Sequence, residues 1–286
     1  GVVLEEITHV NKAKVTLFFG TLSWILIFVF SESAEKRASV SLGLEESIGE
    51  IASLWLFLVA AMTFVAYLNK KGMIENVIYL LLPKQMSERK LLMMTRLICF
   101  FFSSLADNIT ATLVSSSPIL LLHLEPTTRI PLATAVVFAV NSGGASLITG
   151  DVTPLMIFLA GKVEIVKLLA ISLPSALAVL VLALMLSRGL DGPATINGVS
   201  HPVRPVDSVI SVLFLMTIFA TIVGNVAFQI PPVLIFLFGV SMMFLLSHFL
   251  SDDSDSDPIL EYIRTIEFET LLFFLGILLL VGMLKE

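Results

Sequence analysis

Long apolar runs separated by short polar stretches make up most of the chain, and their lengths predict a series of membrane-crossing helices. Val15 to Phe30 is the first, bounded by Lys12 and Lys14 before it and by Ser31-Glu32 after it. Residues 31–50 are polar and read as a loop. Ile51 to Leu68 follows as 18 uncharged residues, enough to cross about 27 Å at the helical rise of 1.5 Å per residue. Residues 69–90 hold Lys70, Lys71, Lys84, Arg89 and Lys90, with an amphipathic piece from Met73 to Leu82 that is expected to lie on the membrane surface. The loop 31–50 has only Lys36 and Arg37 as basic residues, so the positive-inside rule makes 69–90 cytoplasmic.

Two later segments break the pattern. Leu91 to Leu122 is too long for one span and is split by Asp107-Asn108. Its limbs, Leu91 to Leu105 and Ala111 to Leu122, are short for full crossings, which predicts a re-entrant hairpin with Asp107 at its tip rather than two crossings. Ile130 to Leu159 is a span interrupted between Asn141 and Asp151 by Asn141-Ser142-Gly143-Gly144-Ala145 and Gly150-Asp151-Val152-Thr153-Pro154. Irregular backbone at membrane depth survives only where protein buries it or where it lines a wet cavity, so this segment is expected to be a broken helix.

Leu168 to Leu186 is another span, followed at 188–207 by a Gly/Pro-rich linker. From Ser208 to Leu250 there is no Asp, Glu, Lys or Arg, and Pro231-Pro232 divides that stretch into two spans. An acidic loop, 251–267, precedes a last span, Thr270 to Leu284. Glu50-Ile-Ala-Ser-Leu-Trp-Leu-Phe-Leu58 matches Glu267-Phe-Glu-Thr-Leu-Leu-Phe-Phe-Leu275 at four positions, and Phe19-Gly20 matches Phe238-Gly239 one span earlier. With the orientation above, the two copies are inverted. The expected organisation is therefore a first repeat over 1–187 (hairpin 91–122, broken helix 130–160), a linker over 188–207, and the beginning of a second, inverted repeat over 208–286. Inverted repeats with helices broken at the midplane are the architecture of secondary transporters.

Composition sharpens the class. Of 286 residues, 57% are apolar and 14% charged, where a soluble domain carries about 25% charged residues. The fold class is an all-α polytopic membrane protein, since the runs lack the alternation of a membrane barrel. The net charge of −6 is concentrated in Asp252-Asp253-Ser254-Asp255-Ser256-Asp257, and no basic cluster suggests nucleic acid. Cys99, the single cysteine, rules out an internal disulfide. His9, His123, His201 and His248 all fall near predicted segment ends, an ordinary interfacial placement. Gly1 opens without Met or a signal pattern, and the chain stops just after a span, so it is expected to be cut at both ends.

Candidate chemistry lies in the two interruptions. An ionised Asp at the bilayer centre costs about 3 kcal/mol even on the lenient insertion scale, so carboxylates there are functional candidates by default. Asp107 would supply charge, Asn108 and Thr110 side-chain oxygens, and the backbone around Asn141, Ser142, Gly143 and Gly144 further carbonyls, in the way hard cations are held by oxygen. Asp151 and Thr153 complete the expected set, with Asp107, Asn108 and Asn141 as the sodium ligands. Protons and sodium competing for shared carboxylates are sufficient for antiport. The bland alternatives are a packing kink at Asn141-Ser-Gly-Gly and structural ion pairs of the two aspartates with Arg96 or Lys162.

At these residues the chain resembles a known family. Glu5-Glu6-Ile-Thr-His9, Ala106-Asp-Asn-Ile-Thr110, Asn141-Ser-Gly-Gly-Ala145 with Gly150-Asp-Val-Thr153, and Phe268-Glu-Thr-Leu-Leu-Phe-Phe-Leu-Gly276 look like the NhaD-type sodium/proton antiporters of the ion transporter superfamily. The resemblance implies a multi-pass protein of the bacterial inner membrane that exports Na⁺ or Li⁺ against protons, with a hairpin and a broken helix in each half. It implies no enzyme activity and no resident cofactor, and its partners are the lipid bilayer and inorganic cations, with pairing to a second copy compatible with it. The second hairpin and second broken helix expected by the resemblance are absent from the sequence. Sodium-coupled carboxylate symporters and arsenite permeases of the same superfamily are the alternatives, although Asp107 would repel an anion. An intramembrane aspartyl protease would need Gly-x-Gly-Asp where the chain has Ile148-Thr149-Gly150-Asp151.

Overall fold

The computed structural model describes residues 11–105, 108, 111–112, 115–116, 126–159, 161–195, 201–250, 262–264, 266 and 268–284. The described elements are, in chain order, α1 (Lys12–Phe30), α2 (Ala34–Lys70), α3 (Met73–Leu81), β1 (Gln85–Ser87), α4 (Glu88–Leu105), α5 (Pro126–Gly144), α6 (Val152–Leu159), α7 (Ile165–Leu186), β2 (Pro193–Thr195), α8 (Pro205–Phe228), α9 (Pro232–Leu250) and α10 (Phe268–Met283). Five of these helices, α1, α2, α7, α8 and α9, are long and apolar enough to cross a membrane, and α10 is a shorter apolar helix. The protein is an all-α polytopic membrane protein.

Most helices start earlier than the apolar runs do, because polar first turns are good helix and fail only as membrane core. The largest instance corrects an expectation. Residues 31–50 are not a loop: Ala34 to Glu50 forms the first half of the 37-residue α2. Ser33 caps its start by accepting the Lys36 amide at 3.2 Å, Arg37 Nε donates to the Ser31 carbonyl at 3.0 Å, and the stretch holds Ala, Glu, Lys, Arg and Leu with no proline, residues that cost little in a helix. At 1.5 Å per residue α2 is about 55 Å long, well beyond a hydrocarbon core of about 30 Å.

The described parts of the linker, 188–195 and 201–207, likewise make specific contacts. Pro193–Thr195 pairs antiparallel with Gln85–Ser87, and His201 is bonded to α3 through both backbone groups, its amide to Asn76 Oδ1 at 2.9 Å and its carbonyl from Asn76 Nδ2 at 3.0 Å. His201 Nε2 also meets Glu75 Oε2 at 2.8 Å. The helical hairpin of α8 and α9 turns where expected, at Gln229, which takes the left-handed conformation (φ 55°) ahead of Pro231-Pro232.

The helices group into two compact units, one of residues up to Val59 with those from Thr265 onward, the other from Ala60 to Arg264. In the first, α1 packs on α10 through glycines: a Cβ on Gly20 would lie 2.7 Å from the Gly276 carbonyl, the close approach that small residues allow between membrane helices. Trp24 Nε1 donates to the Leu279 carbonyl at 2.9 Å and Trp55 Nε1 to that of Leu271 at 3.0 Å. In the second unit, α5 packs on α4 and α7, and the buried Asp207 accepts from the Tyr67 hydroxyl at 2.6 Å and from Arg204 Nε at 3.2 Å.

Candidate functional site: a helix break facing the end of α4

Everything needed to describe the site belongs to the second unit. Helix α4 carries a buried stripe of small polar residues, Thr95, Cys99 and Ser103, at the i, i+4, i+8 spacing that places them on one face. The start of α5 lies beside the start of α4, because Thr128 Oγ1 donates to Glu88 Oε1 at 3.1 Å. The chain thus leaves α4 at one end and begins α5 at the other, which is what a hairpin requires of its ends. Asp107 at the expected tip, and most of the second limb, lie outside the described residues.

Helix α5 runs unbroken through Asn141, Ser142 and Gly143 to Gly144, and the interruption follows at 145–151, before α6. The predicted broken helix is therefore present, with its break after the glycines. The glycines are needed for packing: a Cβ at Gly143 would run into the Phe100 carbonyl, and one at Gly144 into Asn108 Oδ1. A Cβ at Gly150 would lie 2.5 Å from the Ser103 carbonyl. Thr149 Oγ1 donates to the Ser104 carbonyl at 2.8 Å. The break is thus seated on the last turn of α4.

At its centre, Ser103 Oγ lies 2.8 Å from Asn108 Oδ1 and 2.7 Å from the Val140 carbonyl, and its single proton can serve only one of them at a time. Asn108 Nδ2 donates to Asp151 Oδ2. The other oxygen of Asp151 accepts the Thr153 amide at 2.8 Å, so Asp151 also caps the start of α6. Among the described residues Asp151 is ion-paired with neither Arg96 nor Lys162; Lys162 is exposed.

Of the expected ligands, the fold brings together Asn108, Gly143, Gly144 and Asp151. Asn141 is not among them: its side chain is exposed and donates back to the Val137 carbonyl at 2.8 Å. The Ser142 carbonyl lies 3.4 Å from Ser175 Oγ, and Thr153 contributes its backbone amide while its side chain is exposed. Asp107 and Thr110 lie outside the described residues. Sequence reasoning missed Ser103, which touches both elements, and Ser146, whose hydroxyl is buried in the break without a hydrogen-bond partner among the described residues. The spacing of Thr95, Cys99 and Ser103 was the available signal.

The arrangement favours a cation on both sides of the break. A helix C-terminus presents unsatisfied carbonyls and a partial negative charge, and α5 ends here at Gly144. A helix N-terminus would favour an anion, but that of α6 already holds the carboxylate of Asp151. Among the described residues no three His, Cys, Asp or Glu side chains cluster as transition-metal ligands do. A carboxylate with neutral oxygens is the donor set of a hard monovalent cation.

A family model described as "Citrate transporter" (CitMHS) matches residues 2–286. The chain belongs to the citrate transporter family. Within it, the chain is similar to the protein named Na(+)/H(+) antiporter NhaD of Vibrio cholerae, at 28% identity over 98% of this chain and 65% of the relative. It is similar to NhaD of Alkalimonas amylolytica at 26% identity over 97% of this chain and 63% of the relative. With Sodium/proton antiporter 1 of Arabidopsis thaliana it shares 27% identity over its full length and 50% of the relative. The chain thus spans one half to about two thirds of the length of these relatives. The resemblance to NhaD-type antiporters extends over nearly the whole of this citrate transporter family member.

Proposed function

We propose that the protein to which this chain belongs is a secondary active transporter that exports Na⁺ or Li⁺ in exchange for protons, and that the break between α5 and α6, with Asn108, Asp151 and the adjoining hairpin residue Asp107, is its ion site. One observation carries the reading: a carboxylate bonded to a neutral amide lies where the carbonyl end of one helix meets the already capped start of another. That environment offers oxygen and negative charge to an ion, and a proton or a sodium ion can take the same place. Antiport needs nothing more than that competition together with alternating exposure to the two sides. The similarity to proteins named sodium/proton antiporters supports the same assignment. Residence in a bacterial inner membrane, a division into inverted repeats at 188–207 and assembly with a second copy belong to the same reading.

Everted vesicles from cells expressing the full-length gene test it. Addition of Na⁺ or Li⁺ should collapse an imposed pH gradient, read as dequenching of a pH dye, and no response to either cation would refute the proposal. The family description favours a second reading, symport of a carboxylate such as citrate. Asp151 beside the site opposes it, since it would repel a trianion, and the same vesicles decide the matter: uptake of labelled citrate driven by sodium would replace antiport as the function.

A further inference from the structure

A second feature of the Ala60–Arg264 unit owes nothing to the ion site. Helices α3, α4 and α8 enclose a cavity of about 500 Å³ whose walls include Val77 and Leu81, Leu97 and Phe101, and Phe214 and Leu215. The cavity is a groove open to the outside of this unit: Val77, Leu81, Leu97, Phe101 and Leu215 are each 50% to 61% exposed. Among the described wall residues the one polar side chain, that of Ser211, donates its hydroxyl to the Asp207 carbonyl at 2.8 Å. Water entering the groove would find no free polar side chain among the described walls, and cavities of that kind take hydrocarbon instead.

The mouth of the groove has the opposite character. Lys90 precedes Met94, Leu97 and Phe101 at helical spacing on α4, so it stands on the lining stripe at its N-terminal end. Lys84 lies three residues beyond Leu81, the end of α3, and three strand residues connect it to the start of α4. Lys84, Arg89 and Lys90 are all exposed. The carboxylates nearest in sequence are engaged elsewhere: Glu75 meets His201 at 2.8 Å, and Glu88 accepts from Thr128 at 3.1 Å and from the Gly192 amide at 3.3 Å. An apolar slot opening at its end onto cations that are ion-paired with no carboxylate among the described residues has the shape of an anionic phospholipid.

We infer that the groove between α3, α4 and α8 binds one anionic phospholipid, an acyl chain lying along Leu97 and Phe101 and the phosphate held by Lys84 and Lys90. The site requires neither transport nor the ion.

Photolabelling tests it. The full-length protein is reconstituted in phosphatidylcholine vesicles containing a trace of phosphatidylglycerol with a diazirine on one acyl chain, and labelled peptides are mapped by mass spectrometry. Labelling should concentrate in residues 73–81 and 94–105, with about tenfold preference over the same probe on a phosphatidylcholine headgroup, given two lysines near the surface. Lys84→Gln with Lys90→Gln should abolish the headgroup preference. Leu97→Trp, which fills the groove, should lower labelling there and leave labelling of α9 unchanged. Equal labelling by the two headgroups would overturn the site as one for anionic lipid. Absence of label from the groove, meaning that polypeptide outside this chain covers it, would overturn it altogether.

Discussion

The side-chain amide of Asn108 donates to the carboxylate of Asp151 across 43 residues of sequence, joining the region after α4 to the start of α6. An amide facing a carboxylate keeps the carboxylate's charge in place while leaving its remaining lone pairs available. Substituting Asp151→Asn removes the charge and leaves one oxygen for the two bonds that Asp151 accepts, so the Asn108 contact can be kept only at the expense of the Thr153 cap. The variant is expected to insert and express normally while its half-saturating Na⁺ concentration rises at least about tenfold, the effect of losing about 1.4 kcal/mol of ion binding. Unchanged sodium dependence in everted vesicles would remove Asp151 from the site.

Asp107→Asn is the more severe change. The neutral amide can neither compensate a sodium ion nor carry a proton, so exchange should be lost while the protein still reaches the membrane. Normal transport by a well-expressed variant would sink the assignment of Asp107.

The glycines at the end of α5 offer a way to separate packing from the proposed ion binding. Gly143→Ala drives a methyl group into the Phe100 backbone carbonyl, which cannot move without disturbing α4, whereas Gly144→Ala meets the side chain of Asn108. Overpacking of this kind costs about 1–3 kcal/mol. Gly143→Ala should therefore lower the thermal unfolding temperature of the purified protein more than Gly144→Ala, and Gly144→Ala should weaken sodium dependence more than its effect on stability accounts for. A reversed order would mean that the break is seated differently on α4.

The bond between Thr128 and Glu88 puts the starts of α4 and α5 on the same side of the membrane. Single cysteines at Ser87 and at Arg129, in a Cys99→Ser background, should both be labelled by an impermeant reagent from the cytoplasmic face. One labelled from each face would establish a full crossing in place of a hairpin.

Exchange should be electrogenic. If Asp107 and Asp151 each carry a proton in the inward-moving state and one Na⁺ displaces both, one net charge enters per cycle, and about 2.3 kcal/mol per 100 mV is available to drive export. In proteoliposomes at equal pH on both sides, an imposed potential should drive Na⁺ flux. Flux indifferent to potential would mean one-for-one exchange and would leave Asp151 without a proton-carrying role.

How much of this was legible in the sequence depended on which physical property each pattern reports. Hydropathy reports solvent, so it located the spans of α1, α7, α8, α9 and α10 and the proline turn at 231–232. It failed at Ala34–Glu50, where polarity marks the edge of the bilayer and says nothing about where hydrogen bonding stops. The pairing of Gln85–Ser87 with Pro193–Thr195 joins segments far apart in sequence, and a local reading of a Gly/Pro-rich linker has no access to it. At the site, residue types that disfavour helix correctly marked a break near Asn141–Asp151. They could not tell that the helix would persist through Gly144, held by packing against Phe100, nor that Asn141 would spend its amide on Val137. Ser103 escaped notice because a lone serine in an apolar helix acquires meaning only when its neighbour, the Val140 carbonyl, is known.

Asp151 accepts from Asn108 with one oxygen and from the Thr153 amide with the other, so the group that would meet the ion is also the group that fastens the first turn of α6. Thermodynamic reciprocity then applies within a single side chain: whatever free energy an arriving proton or sodium ion subtracts from that fastening, a movement of α6 must restore as a change in affinity for the ion. No relay between a binding site and a moving part would be required, because one carboxylate would serve both as ion ligand and as cap of the helix.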